Sequence, residues 1–405
     1  MDPRYPATIG PYRVEAAIGV GGMGEVLRAR HEALGRVVAI KLRARGRGSD
    51  EVVLAERFRH TACLQGELDH PNIARVYDYI EQPGHQALVL EYLGGGSAAE
   101  RIDAGPIPIA ATVELGIRTA EALHFAHRRG VVHRDIKPAN LMLVEADRPD
   151  TVRITDFGVA KTTDRSPHLT LAGANVGTVW YMSPEQFNHE DPTPAFDIYS
   201  LGATLYELFT GSIPFVGKDT AEIFNRFLDG VPPPSLVGRN PRVPPSLATV
   251  VETAMALDPT ERVPNAAILA LLLRAVAERE GLGLSDAAAR RLLQQADGAA
   301  LRAHIRWLDT TVAGRPVAQA VSALDMRLNG ATAITRIDSP APPRHLVTAP
   351  PASVAPPAPD LTASMRGPLS ALDATSLLAS MLDDDDREDD EDHTLVSIAP
   401  ALEGD

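Results

Sequence analysis

Val131-Val132-His133-Arg134-Asp135-Ile136-Lys137-Pro138-Ala139-Asn140 is the stretch from which the rest of the chain can be read. Directly after an apolar pair it gathers a carboxylate at Asp135, a cation at Lys137 and an amide at Asn140. Phosphoryl transfer requires that combination. The reaction passes through a loose transition state, so a protein accelerates it by alignment and charge neutralisation. It needs a carboxylate for the attacking hydroxyl, donors for the phosphate and a carbonyl oxygen for Mg²⁺.

His133-Arg134-Asp135 followed by Asn140 resembles the catalytic loop of protein kinases, and Lys137-Pro138 inside it resembles the Ser/Thr-specific form. Further stretches carry the same resemblance. Ile18-Gly19-Val20-Gly21-Gly22-Met23-Gly24-Glu25-Val26 has glycines at the G-x-G-x-x-G spacing. Without a Cβ, a glycine turn can bring its N–H groups up to a phosphate. A dinucleotide-binding fold uses the same spacing, but there the third glycine opens a helix, whereas Val26 to Arg30 alternates like a strand. Val38-Ala39-Ile40-Lys41 is a second strand ending in a lysine. Arg75 to Glu91 reads as two strands around a turn at Gly84, then Glu91-Tyr92-Leu93-Gly94-Gly95-Gly96 resembles the hinge between kinase lobes. Val113 to Arg129 is a long amphipathic helix leading into the catalytic loop. Its His124 and His127 lack a third metal ligand and read as helix-surface residues.

Val152 to Thr155 is a short strand before Asp156-Phe157-Gly158, where an acid between apolar neighbours asks for a cation. Lys161 to Gly177 is polar and small, with Thr162, Thr163, Ser166 and Thr170, as in a mobile activation segment. Gly177-Thr178-Val179-Trp180-Tyr181-Met182-Ser183-Pro184-Glu185 resembles the substrate-positioning stretch of Ser/Thr kinases. Asp197-Ile198-Tyr199-Ser200-Leu201-Gly202 opens a central buried helix, and Arg262 stands where relatives pair an arginine with the glutamate at Glu185.

The resemblance implies an α+β, bilobal protein-kinase fold over 12–275: a small β-rich N-lobe (12–91), a hinge (91–96) and a larger helical C-lobe (97–275). It implies ATP and Mg²⁺ as cofactors and proteins with Ser or Thr hydroxyls as substrates. Asp135, Lys137, Lys41 and Thr178 take the catalytic roles, with Thr178 bridging Asp135 and Lys137, and Asn140 and Asp156 hold the metal. Ile18, Gly19, Gly21, Gly24, Val26, Ala39, Lys41, Leu90, Glu91, Leu93 and Met142 line the nucleotide pocket. Glu91 and Leu93 offer backbone groups to adenine, Leu90 guards the back, and Lys41 holds the α and β phosphates. Thr170 is the regulatory phosphorylation site, with Arg134 waiting for its phosphate.

One departure stands out. Asp50 to Leu68 has helix composition, with Leu54, Phe58 and Leu64 on one face, but the Lys-pairing glutamate of related kinases is replaced by Thr61. At ~100° per residue Glu56 and Glu67 lie about 140° and 120° from the Thr61 direction, while Gln65 shares its face. Lys41 is therefore expected to be held by Gln65, Thr61 and Asp156. The competing reading is a pseudokinase that binds nucleotide and scaffolds partners.

The 405 residues, 44% of them hydrophobic, suffice for a kinase-sized core with length left over. A single cysteine, Cys63, excludes an intrachain disulfide. The N-terminus lacks an apolar core and cleavage site, and no apolar run is long enough to span a membrane, so a cytoplasmic chain is expected. The formal charge of −14 is concentrated in 383–405, where eleven Asp or Glu face one Arg, which argues against nucleic acid as a partner. Residues 282–330 read as a helical extension, with Leu301, Ile305 and Leu308 in one stripe and Val317, Val321 and Leu324 in another. Packing on the large lobe is the preferred reading, and a homodimer surface the alternative. Residues 339–405 read as a Pro/Ala linker and a disordered acidic tail in which Thr394 is a candidate phosphothreonine docking point.

Overall fold

The computed structural model describes residues 5–21, 24–44, 50–157, 179–215, 222, 225–226 and 229–282. The chain divides into two units, Met1–Asp338 and Ser339–Asp405. The second unit, with the expected linker and tail, and the helical extension from 283 onward lie outside the described residues.

The N-terminal part is a six-stranded antiparallel sheet. Its strands are β1 (Thr8–Ile9), β2 (Tyr12–Gly21), β3 (Gly24–His31), β4 (Val37–Ala44), β5 (Val76–Gln82) and β6 (His85–Glu91), in the order β1-β2-β3-β4-β6-β5. Period-two alternation gives the sheet two unlike faces. Leu27, Val38, Ile40, Leu42 and Val89 turn to one core. Ala39, Leu88 and Leu90 turn to the other, where helix α1 (Asp50–Gly66) lies with Phe58 and Ala62 against them. The register pairs Val26 with Lys41, Lys41 with Leu88 and Ala39 with Leu90, so Val26, Ala39, Lys41 and Leu90 share this second face.

The buried stripe of α1 is Phe58, Thr61, Ala62 and Gln65, not the expected Leu54, Phe58 and Leu64. Leu54 is exposed and Leu64 only half-buried. The polar Thr61 and Gln65 occupy core positions that a hydrophobic pattern passes over.

The second part is helical. It comprises α2 (Ala98–Ala104), α3 (Ile109–His127), the short hairpin β7 (Leu141–Leu143) and β8 (Val152–Ile154), then α4 (Pro184–Phe187), α5 (Pro194–Thr210), α6 (Leu236–Arg239), α7 (Pro245–Ala254) and α8 (Ala266–Arg279). Helix α2 starts at a capping box: Ser97 Oγ accepts the Glu100 N–H while the Glu100 carboxylate accepts the Ser97 N–H. Helix α3 begins four residues earlier than its apolar pattern suggested, just after Pro108. Helices α3, α5 and α8 form the centre of one core. A Cβ at Gly116 of α3 would lie 2.8 Å from Leu205 Cδ2 of α5, so the missing side chain permits the close approach. Inside this apolar contact Arg118 bonds Glu114 at 2.8 Å and Glu121 at 3.1 Å, and Arg274 of α8 reaches Glu121 at 3.2 Å. All four side chains are buried, and paired opposite charges are what make that burial tolerable.

Gly24, at the end of the β2–β3 turn, has φ +133°, and a Cβ there would meet the Leu42 carbonyl oxygen at 2.1 Å. Gly19 has room, with Val26 Cβ at 3.8 Å. Gly24→Ala is therefore expected to destabilise the fold by about 2 kcal/mol or more and Gly19→Ala by less than about 1 kcal/mol. Equal shifts of the thermal midpoint in the two variants would contradict this.

Candidate active site

The catalytic loop is suspended from one buried carboxylate. Asp197, in the first turn of α5, is fully buried; its Oδ2 accepts the His133 N–H at 2.8 Å and its Oδ1 the Arg134 N–H at 2.7 Å. His127 Nε2 lies 2.7 Å from Oδ2, so this histidine is an internal partner of Asp197 and not the surface residue expected. Burial alone would raise the Asp197 carboxyl, but the contacts from His127 and His133 outweigh it and hold it below the usual carboxylate range. Arg134 needs this support. Its φ of 66° is left-handed, a conformation that costs a non-glycine residue about 1–3 kcal/mol. Asp197 fixes its N–H, and Gln186 Nε2 donates to its carbonyl at 3.0 Å.

From that platform the functional groups converge. Lys137 Nζ stands 3.0 Å from Asp135 Oδ2. Asn140 Nδ2 donates to the Asp135 carbonyl at 2.8 Å and to its Oδ2 at 3.0 Å. The amide nitrogen is thereby assigned inward, and the Asn140 oxygen is the atom left to face a metal. His133 accepts the Asp135 N–H at Nδ1 and lies 2.8 Å from the Thr155 carbonyl at Nε2, an arrangement that fits the neutral ring protonated at Nε2. Thr155 in turn donates to the Asn140 carbonyl from its N–H at 2.9 Å, tying β8 to the loop. Behind the loop Arg262 holds Glu185 through two 2.6 Å bonds, the pairing expected from the sequence.

Lys41 reaches into the same region from β4. Its Nζ lies 3.0 Å from Asp156 Oδ1, and its side chain is 10% exposed against 40% for Asp156. Asp156 is also left-handed, at φ 60°. Of the three groups expected to hold Lys41, the structure gives it Asp156, while Gln65 turns its amide nitrogen to the Ala74 carbonyl at 3.1 Å. Thr61 is buried on the sheet-facing side of α1; Glu56 and Glu67 are exposed, and Glu56 pairs with Arg59 at 2.7 Å. Neither glutamate can serve Lys41 in this register.

Between the lobes, the Glu91 N–H is committed to the Arg75 carbonyl at 2.9 Å, and its carboxylate lies 3.4 Å from Arg153 Nη2. Gly95 N–H donates to the Leu143 carbonyl at 2.9 Å, and Leu143 N–H to Gly96 at 2.8 Å. A Cβ at Gly95 would be 2.7 Å from that same Leu143 oxygen. Met142 bridges to Ser97 beside the hinge, and Leu90 is buried at its start. Val26 and Ala39 stand on the sheet face with Lys41, and Ile18 is exposed on β2. Gly21 lies opposite Gly24 at the turn, and Gly19 opposite Val26. Thr178 and Thr170 fall outside the described residues. The donor set toward a cation, the Asn140 oxygen and the partly exposed Asp156 carboxylate, is of the hard oxygen type that suits Mg²⁺ sharing its shell with phosphates.

A protein kinase domain family model matches residues 12–271. The chain belongs to the protein kinase family. It is 36% identical over 271 residues to serine/threonine-protein kinase PknA of Mycobacterium tuberculosis, covering 65% of this chain and 60% of that one. It is 36% identical over 272 residues to serine/threonine-protein kinase pkn3 of Myxococcus xanthus, covering 65% and 50%. The chain thus spans about half to three fifths of the length of these relatives. The kinase domain of Mycobacterium tuberculosis PknI superposes with a TM-score of 0.53 at 25% identity, over 67% of this chain and 97% of that one.

Within this kinase domain sequence reasoning missed the supports: it took His127 for a surface residue and passed over Gln186 and Thr155. His127 stands four residues after the buried Leu123, a stripe position that was the only signal of its inward aim. Because the folded Asp197 carboxyl is depressed, its contribution to stability is present above the unfolded value near ~4 and is lost as pH falls through the lower folded value. Asp197→Asn is expected to lower stability by about 3 kcal/mol at neutral pH and to flatten this acid limb. Urea unfolding between pH 3 and 7 measures both effects, and an unchanged acid limb would show that Asp197 is not the group responsible.

Proposed function

We propose that this chain is an ATP-dependent kinase that transfers the γ-phosphoryl group to Ser or Thr hydroxyls of proteins. The observation that carries the reading is the convergence of Asp135, Lys137 and Asn140 within 3.0 Å contacts, with Lys41 of the sheet reaching Asp156, the neighbour of the Thr155 that bonds Asn140. Asp135 aligns the attacking hydroxyl and accepts its proton, and Lys137 offsets charge at the transferred group. Lys41 takes the α and β phosphates, and the glycine turn covers them. Mg²⁺, held by Asn140 and Asp156, would supply charge neutralisation at the phosphates. The relatives' names, both serine/threonine kinases, support the hydroxyl specificity.

A signalling role regulated through the activation segment belongs to the same proposal. Burial disfavours the Arg134 guanidinium charge and lowers its pKa, opposed by the Asp197 carboxylate, so a phosphate dianion arriving from Thr170 finds a poorly solvated cation beside the catalytic aspartate. A cytoplasmic location, a docking partner at the tail around Thr394 and a helical extension that packs on the large lobe, with a homodimer surface as the alternative, are further parts of the proposal. Among the described residues no helix is long and apolar enough to cross a membrane. One observation favours a second reading, a nucleotide-binding scaffold: Thr61 stands where Lys41 would meet a carboxylate.

Phosphate transfer from labelled ATP to a generic basic protein separates the two readings. Asp135→Asn is expected to lower turnover by at least about a thousandfold while nucleotide still binds, because it loses the base and keeps the phosphate contacts. Asp156→Asn should instead weaken Mg²⁺-dependent nucleotide binding itself. Wild-type turnover in the first variant, or unchanged MgATP affinity in the second, removes the assigned role. Thr170→Ala should cost the activation gained on preincubation with ATP; full activation without that hydroxyl eliminates Thr170 as the switch.

A further inference from the structure

We propose that Arg43 and Glu51 form the clamp that docks helix α1 on the sheet, in place of an ion pair between Lys41 and that helix. Both are then positioning residues for Lys41. The inference rests on the kinase reading for its activity readouts only.

Strand alternation puts Arg43, two residues beyond Lys41, on the face that α1 covers. On its buried stripe the helix carries the neutral Thr61 and Gln65 and no carboxylate. At Arg43 the situation reverses. Arg43 Nη1 and Nη2 meet Glu51 Oε1 and Oε2 at 3.0 and 2.7 Å, with side chains 11% and 17% exposed. A two-pronged guanidinium–carboxylate contact fixes orientation as well as distance, and a carboxylate in the first helical turn also complements the N-terminal dipole.

The clamp is braced from the sheet. Arg43 Nη1 also donates to Gln86 Oε1 at 2.9 Å, and Gln86 lies directly opposite Arg43 in the β4–β6 register. Gln86 is 1% exposed; its Nε2 donates to Tyr79 Oη at 2.7 Å and, more weakly, to the Ala55 carbonyl of α1 at 3.4 Å. Tyr79 packs against Phe58 of the same helix. At the other end Gln65 donates to the Ala74 carbonyl. The helix is therefore tied down near both termini, through Glu51 and Gln65, and Thr61 is buried between those ties. The Lys41 ammonium is left to Asp156, 3.0 Å away.

The full chain is compared with Glu51→Gln, the charge swap Arg43→Glu with Glu51→Arg, the double variant Glu51→Gln with Thr61→Glu, and Glu56→Gln as a control on the outer face. Amide hydrogen exchange across 51–65 and the kcat and KM for MgATP are read together. Glu51→Gln is expected to speed exchange in the helix about tenfold and lower kcat about tenfold, with a smaller change in KM. The charge swap should return both toward wild type, and Thr61→Glu should restore kcat by giving Lys41 a carboxylate of its own. A purely structural pair would not show that second rescue. Unaltered exchange in Glu51→Gln, loosened exchange with unaltered kcat, or failure of both rescues overturns the proposal. Should the wild-type chain transfer no phosphate at all, the kinase reading falls separately, and exchange in Glu51→Gln against the charge swap still decides whether the clamp docks the helix.

Discussion

The burial of one carboxylate, Asp197, organises the chemistry of this chain. A fully buried anion is tolerated only where donors surround it, and here the donors are the backbone N–H groups of His133 and Arg134 together with His127. The desolvation of Asp197 is offset by the same contacts that hold Arg134 at a left-handed φ. Catalytic geometry and the stability of α5 are therefore one problem with one solution. Through Thr155 the constraint extends to β8, and through Gln186 to the capped helix α4, so the loop is gripped from three elements.

Across the cleft the organisation differs. The sheet offers Lys41 by strand alternation and leaves its charge to Asp156, which belongs to the other side of the cleft. No helix carboxylate shares that task among the described residues: the buried stripe of α1 carries Thr61 and Gln65, and Glu56 and Glu67 are exposed. The helix is instead joined to the sheet by contacts at its own ends, through Glu51 and Gln65.

Much of this was legible in the residues themselves. Asp135, Asn140, Asp156 and Lys41 stood out because the motifs around them resemble those of a known family, and the strands of the sheet follow from alternation in Val37 to Ala44 and its neighbours. The pairing of Arg262 with Glu185, 77 residues apart, was implied by the family resemblance and by no pattern in the residues. Illegible features were of another kind. Thr61 and Gln65 are polar groups at core positions, which an apolar stripe cannot mark. His127 and the Arg118–Glu121–Arg274 cluster declare their partners only after α3, α5 and α8 have packed. The α2 capping box at Ser97 and Glu100 was written in plain spacing, yet a segment of seven residues carries too little periodicity to attract attention.

On the kinase reading proposed above, the hinge carries one more consequence, for ligands that imitate adenine. Glu91 is bound to Arg75 on one side and Arg153 on the other, while Gly95 and Gly96 are stitched to Leu143. Only Tyr92 to Gly94 lies between these fastenings, and Tyr92 is itself covered by the Arg28 guanidinium, 5.4 Å from its ring. A small molecule therefore meets a hinge with little freedom to adapt its backbone. On that reading the Arg28–Tyr92 stack beside the hinge is a contact that would distinguish one such ligand from another.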